Sequence, residues 1–237
     1  MTRRRWIADE VNNERAALVG AHAAHLSRTL RAQVGQEFEV ACGNVVRRAI
    51  IARVDDERVE FKLGEEVAIS APPPITLLLA VFKFDRMEWA MEKCTELNVT
   101  SILPVIARRT EKHLAQAAQK RAERWRRIGR EAAEQARRVA PPQIGDPVGL
   151  VDALKASAEL RIVLAETERE AHLLDVLGAR ADIRSLALAI GPEGGWTADE
   201  FELFAQARWT SASLGTTILR AETAAIAAVA LARFVID

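Results

Sequence analysis

Ile190-Gly191-Pro192-Glu193-Gly194-Gly195-Trp196-Thr197 decides the fold of this chain. The run before it, Leu186 to Ile190, is short and continuously apolar, the pattern of a strand buried on both faces. A helix is expected from Thr197, because Thr197 and Glu200 form a capping box in which each satisfies a backbone amide near the other. The octapeptide therefore forms the turn at a strand's carboxyl end, where open α/β sheets collect their ligands. Its three glycines and proline let the backbone turn sharply and bring main-chain amides against a ligand without Cβ interference. The spacing is neither G-x-G-x-x-G nor G-x-x-x-x-G-K-[ST], so neither a dinucleotide site nor a P-loop is supported. A tight turn with no ligand is the competing reading, and it explains a single Gly-Gly pair better than it explains all eight residues.

A second loop lies just downstream, from Leu214-Gly215-Thr216-Thr217-Ile218-Leu219 to Arg220-Ala221-Glu222-Thr223-Ala224. An alanine-rich helix, Glu222 to Phe234, closes the chain. Glu222 and Thr223 suit a helix N-terminus, where an acid favours the dipole and a threonine can cap. Arg220 does not, since it is a cation at the unfavourable end of that dipole unless an anion or carboxylate sits nearby.

Towards the N-terminus, Ile75 to Val81 is another run buried on both faces, and Ser101 to Ile106 and Leu160 to Ala165 read as further strands. Arg86 to Leu97 has helical spacing, with Met87, Ala90, Met91 and Cys94 on one side. Ala115 to Arg138 reads as a long basic helix in which Trp125 belongs to the core, and Ala212 to Leu214 ends a last strand. Strands alternating with helices predict an α/β layer around a parallel sheet. Ala71-Pro72-Pro73-Pro74 marks its boundary, because three prolines exclude both helix and central strand. Before the prolines, Glu37-Phe38-Glu39-Val40 and Arg58 to Leu63 alternate polar with apolar, and Ala49-Ile50-Ile51-Ala52 is briefly apolar, so residues 1–70 predict a small β-barrel. A helix-like stretch from Ala21 to Arg31 carries His22, His25, Arg28 and Arg31. These read either as a partner-facing set or as the polar side of an exposed amphipathic helix.

The 237 residues are 49% apolar and 28% charged, which excludes an extended disordered chain and leaves room for one large or two smaller domains. No apolar run approaches the roughly 18 residues of a membrane span. Met1 to Trp6 is basic but meets acid at Asp9 and Glu10 with no apolar stretch, so no secretory signal is expected and the protein reads as cytoplasmic. Cys42 and Cys94 lack metal-ligand spacing, and no metal is expected. The formal net charge of zero hides an asymmetry: Arg108 to Arg138 holds eleven basic against four acidic residues, whereas Val139 to the end holds eight against fourteen. Such a stretch suits either phosphate contacts, whose affinity depends on local charge, or a solvated helix face with internal ion pairs.

Ile190 to Gly195 followed by Leu214-Gly215-x-x-Ile218-Leu219-Arg220-x-Glu222-Thr223-Ala224 closely resembles the ribosomal RNA small-subunit methyltransferase E family. These are 16S rRNA uridine-N3 methyltransferases of the SPOUT (α/β-knot) superfamily. Lys83-x-Asp85-Arg86-Met87-Glu88-Trp89 with Lys93-Cys94-Thr95-Glu96-Leu97 resembles a further family segment, as do Arg124-Trp125 with Glu131 to Arg138 and Pro141, and His25-Leu26-x-Arg28-x-Leu30-Arg31 with Gly35. The resemblance covers nearly the whole chain. There are departures: Asn98 stands for the usual glycine, a substitution that still tolerates a left-handed turn; Trp196-Thr197 stands where Phe-Ser is common, and Ala221 where Thr is common.

The resemblance implies a deep trefoil knot over residues 75–237, a PUA-like barrel over 1–70, and a homodimer in which the second subunit completes the site. It implies S-adenosylmethionine bound among three loops, with Leu164 and Ala165 in the first, Ile190, Gly191, Glu193, Gly194 and Gly195 in the second, and Leu214, Gly215, Ile218, Leu219 and Thr223 in and after the third. Arg220 is expected to stabilise the uridine anion, and Glu193 or Glu222 to orient the base or accept its proton. The implied contacts with 16S rRNA in the small subunit are Arg3, Arg4, Arg28 and Arg31 on the barrel, with Lys83, Arg86, Lys93, Arg108, Arg109, Arg137 and Arg138 beyond it. The rival functions are methylation of a ribose 2′-hydroxyl by an enzyme of the same superfamily, non-enzymatic RNA binding, and a phosphate-binding hydrolase; the last lacks clustered His, Asp or metal ligands, and His113 and His172 read as surface residues.

Overall fold

The structure is a computed structural model describing residues 5–43, 45–68, 72–180 and 182–236. The chain forms two compact units, Met1–Ala71 with Ala133–Pro141, and Pro72–Ala132 with Pro142–Asp237.

The first unit is a six-stranded sheet built from β1 (Arg5–Ile7), β2 (Glu10–Val11), β3 (Arg15–Val19), β4 (Glu37–Cys42), β5 (Val45–Val54) and β6 (Arg58–Val67). The strand order is β1-β4-β5-β6-β3-β2, antiparallel except for the β1–β4 pair. Its two edge strands are joined by only Ala8 and Asp9, so the sheet has to curl to bring its edges together. The alternation in β6 turns Val59, Phe61 and Leu63 inward, where they pack with Leu18, Leu26 and Val40. The helix-like stretch after β3 is helical over Ala21–Ala24 and His25–Thr29, in two forms. Only Ala21–Ala24 (α1) is α-helical, and His25–Thr29 continues as a π-helical turn. The His22 ring lies 3.2 Å from Asp9 and 3.7 Å from Glu134.

The second unit is a parallel seven-stranded sheet. Its strands are β7 (Ile75–Ala80), β8 (Ser101–Ile106), β9 (Gln143–Ile144), β10 (Val148–Gly149), β11 (Leu160–Leu164), β12 (Leu186–Ile190) and β13 (Thr210–Ala212). The order is β10-β8-β7-β12-β11-β13, with β9 paired to β8. The helices are α2 (Phe84–Glu96), α3 (Lys112–Gln135, of which 133–135 count with the first unit), α4 (Leu150–Ala153), α5 (Leu173–Gly178), α6 (Ala198–Gln206) and α7 (Ala221–Ile236). Alternate residues of the central strands feed two cores, as their unbroken apolar runs require. Leu77, Leu79, Leu188 and Ile190 pack with Met87, Met91, Trp125 and Val229 on one face. Leu78, Ala80, Ala187 and Ala189 pack with Trp196, Phe204 and Trp209 on the other. Ala225, Ala228 and Ala232 of α7 are fully buried in the chain's own core, where α7 packs on α2 and α5, so the small residues serve close packing within the chain. Asn98 has φ 63, the left-handed conformation its side chain tolerates after α2.

Arg233 ties α7 into this unit. Its buried guanidinium donates to the Pro73 carbonyl at 3.0 Å and to the Asn98 carbonyl at 2.9 Å. Replacing Arg233 with Ala leaves both carbonyls short of a charged donor and is expected to cost about 2–4 kcal/mol. The check is a lower urea midpoint at unchanged slope.

Candidate active site

β12, β11 and β13 are adjacent in the sheet and parallel, so the loops leaving their carboxyl ends converge. Between these loops is a cavity of about 540 Å³, within the size range of small-molecule sites. The β11 loop contributes Leu164, Ala165, Glu166 and Thr167. The β12 loop contributes Ile190, Gly191, Pro192, Glu193, Gly195 and Trp196, and the β13 loop contributes Ser213, Leu214, Gly215 and Thr217 through Arg220. Arg109, from the turn after β8, Ala198 and Phe201 of α6, and Ala221 and Ala224 of α7 complete the wall.

The glycine loop is a tight structure. Gly195 N–H donates to the Pro192 carbonyl at 2.8 Å, closing a four-residue turn with Glu193 and Gly194 at its tip. Gly195 sits at φ +70, and a Cβ there would lie 3.3 Å from Glu166 Oε1. At Gly191 a Cβ would meet Gly195 Cα and the Trp196 amide nitrogen at 3.3 Å. Side chains at these two positions would displace the loop or strain it.

A buried carboxylate anchors this loop to the rest of the site. Glu200 Oε2 accepts the Thr197 N–H at 2.8 Å, while Thr197 Oγ1 accepts the Glu200 N–H at 3.3 Å, which is the capping box expected from the sequence. The same carboxylate, 3% exposed, accepts the Arg108 N–H on Oε1 at 2.8 Å. The β11 loop has an anchor of its own. The amides of Glu170 and Ala171, with those of Arg169 and the Ser211 hydroxyl, hold the Glu168 carboxyl below the usual carboxylate range. Ser213 Oγ donates to the Ala171 carbonyl at 3.3 Å and lies 3.1 Å from His172 Nδ1.

The cavity wall carries both signs of charge, with exposed Arg109 and Arg220 against exposed Glu166 and Glu193. Most of the residues singled out as ligand contacts lie on it. Three do not. Gly194 is exposed at the tip of its turn and absent from the lining, its carbonyl accepting from Arg109. Thr223 points outward from the first turn of α7. Glu222 is 4% exposed and absent from the lining, with Oε1 3.8 Å from Arg86 Nε. Glu166, Thr167, Trp196, Phe201, Ser213 and Thr217 line the cavity without having been singled out. The strand-end rule that located the glycine loop also applies to the residues after β11, so Glu166 and Thr167 could have been found by it.

The basic residues are scattered and many are neutralised. Arg3 and Arg4 lie outside the described residues. In the first unit, Arg28 pairs with Asp56 at 2.9 Å, Arg31 is exposed at φ 51, and Arg137 is exposed with its carbonyl accepting from Arg5. The amide of half-buried Arg138 donates to Ala133. In the second unit, Lys93 is held by Glu92 and Glu96 at 2.7 and 2.8 Å, while Lys83 and Arg108 are exposed. The basic helix also meets acids from elsewhere, Arg121 and Arg124 pairing with Glu88 and Arg126 with Asp146.

Residues 70–233 match the model of the RNA methyltransferase domain family. A ribosomal RNA small subunit methyltransferase E of Rickettsia conorii is 32% identical over 227 residues, covering 93% of this chain and 90% of that relative. The chain belongs to the ribosomal RNA small subunit methyltransferase E family. Another methyltransferase E relative, from Synechocystis, is 31% identical over 94% of this chain and 74% of its own length. The methyltransferase E of Neisseria gonorrhoeae, solved bound to S-adenosyl methionine, is 28% identical with a TM-score of 0.83, covering 96% of this chain and 95% of that one.

Glu200→Ala removes the acceptor shared by the Arg108 and Thr197 amides and is expected to destabilise this unit by about 2–4 kcal/mol, whereas Glu200→Gln keeps one carbonyl acceptor and loses less. Thermal unfolding of the two variants side by side checks the order.

Proposed function

We propose that this chain is a cytoplasmic, S-adenosylmethionine-dependent methyltransferase acting on N3 of a uridine in the 16S rRNA of the small ribosomal subunit. The observation that carries it is the convergence of three strand-end loops on one cavity with Arg220 and Glu193 on its wall. The family membership and the S-adenosyl methionine bound to the Neisseria gonorrhoeae relative support it. The residues fit such a ligand. Gly191 and Gly195 leave little room for a Cβ, which favours main-chain edges facing the cavity, and carboxylates and guanidiniums both line it, matching a ligand that carries ammonium, sulfonium and carboxylate groups.

When bound, S-adenosylmethionine supplies an activated methyl group on its sulfonium. The protein is left to position the base and manage its proton. Uridine N3 is a weak acid that must lose its proton to attack. Arg220 is assigned to stabilise the anion at O2 or O4, a cation placed where negative charge develops. Glu193, exposed at the tip of its turn, is assigned to orient the base or receive the proton. Glu222 is assigned a supporting role through Arg86, since its carboxylate is buried behind the wall.

The proposed architecture is a SPOUT α/β-knot over 75–237 and a PUA-like RNA-binding barrel over 1–70. The curled six-stranded sheet supports the barrel. The knot is supported by β13 pairing with β11 while β12 pairs with β7, with α7 packing back across β12. Trp89 at 48% and Phe234 at 88% exposure, on the packed pair α2 and α7, support a homodimer contact. Exposed Arg31, Lys83 and Arg108, without an ion pair among the described residues, are the leading phosphate contacts. Among these residues no helix is long and apolar enough to cross a membrane.

The test is labelled methyl donor incubated with unmodified small-subunit particles, followed by mapping of the modified base. Modification at uridine N3 is expected, and a ribose product or none overturns the assignment. Arg220→Ala should lower turnover by about 100-fold or more while donor affinity by calorimetry moves little. Unchanged turnover removes Arg220 from the chemistry.

A further inference from the structure

Arg109 reads in the sequence as one more cation for RNA, yet in the structure it reaches the glycine loop. Its guanidinium donates to the Gly194 carbonyl, and a Cβ on Gly194 would lie 3.2 Å from Arg109 Cδ and 3.6 Å from Arg109 Cβ. The peptide joining Gly194 to Gly195 is therefore gripped from both ends, its carbonyl by Arg109 and its N–H by the Pro192 carbonyl at 2.8 Å. The turn bearing Arg109 is itself fixed. The Arg108 N–H is bound to buried Glu200, the Ala107 N–H donates to Thr110 Oγ1 at 3.1 Å, and the Thr110 hydroxyl donates to the Val81 carbonyl at 3.1 Å. A rigid turn after β8 thus holds the tip of the turn after β12.

We infer that Arg109 is a positioning residue of the methyl-donor site. It acts through the Gly194 carbonyl to set the Pro192–Gly195 turn, and through that turn the placement of Glu193 and of the main chain at Gly191 and Gly195. The inference rests on the proposed reading of the cavity as a methyl-donor site. A guanidinium suits the task because a charged donor grips a carbonyl more strongly than a neutral one, and its planar fork fixes direction as well as distance. The same contact accounts for Gly194, whose missing side chain lets the Arg109 stem lie against the loop.

The test uses the full-length protein, with S-adenosylmethionine and its demethylated product as calorimetric probes and circular dichroism to follow folding. Arg109→Ala is expected to weaken donor binding about tenfold with the melting temperature nearly unchanged. Arg109→Gln keeps an N–H but no charge and recovers much of that loss, and it carries the comparison should Arg109→Ala fold poorly. Gly194→Ala, which pushes a methyl against the Arg109 stem, weakens donor binding in the wild-type background but adds nothing to Arg109→Ala, the non-additivity of a shared contact. The inference is overturned if Arg109→Ala binds both probes as wild type does. It is also overturned if RNA affinity alone falls, with a salt slope shallower by about one, rescued by Lys and not by Gln. Wild-type protein that binds neither probe would instead defeat the donor-site reading itself.

Discussion

The candidate site depends on a single buried carboxylate. Glu200 accepts hydrogen bonds from the Thr197 and Arg108 amides, and so joins the start of α6 to a turn far earlier in the chain. A carboxylate held this deep is tolerated only when its oxygens are satisfied, and here both are. Its position therefore couples the loops after β8 and β12 more strictly than apolar packing alone would, because a sliding contact would orphan an amide.

Much of this was legible because it is local. The apolar runs of β7, β8, β11 and β12, the helical spacing of α2 and the Thr197–Glu200 box depend on neighbours in sequence, and each sits where the pattern put it to within a few residues. The short elements were not legible. α4, α5, β9 and β10 are too brief for a period to develop and owe their form to what they pack against. The helix-like stretch from Ala21 was legible, but its widening to a π turn at His25 was not, because nothing in the residue types announces it. Of the site, the glycine and Arg220 loops could be read directly. The burial of Glu222 and the grip of Arg109 on Gly194 are contacts across the fold, and no spacing rule reaches them.

Charge behaves in the same way. The excess of cations between Arg108 and Arg138 is plain in the sequence, but Glu88 and Asp146 come from other elements and quench part of it. An ion pair at a protein surface adds little stability, yet it does consume a cation that would otherwise meet phosphate. The unpaired positive surface is thus smaller than the composition implies.

The strand order has a consequence for how the molecule is made. β7 lies between β8 and β12, and β12 is synthesised long after both of the others. Throughout that interval the emerging chain carries an apolar strand, Ile75 to Ala80, with one hydrogen-bonding edge open and both faces lacking much of their cover. Such a nascent segment is sticky by nature. Interleaving the strands in this order leaves that segment open to wrong pairings until β12 arrives to cover its free edge.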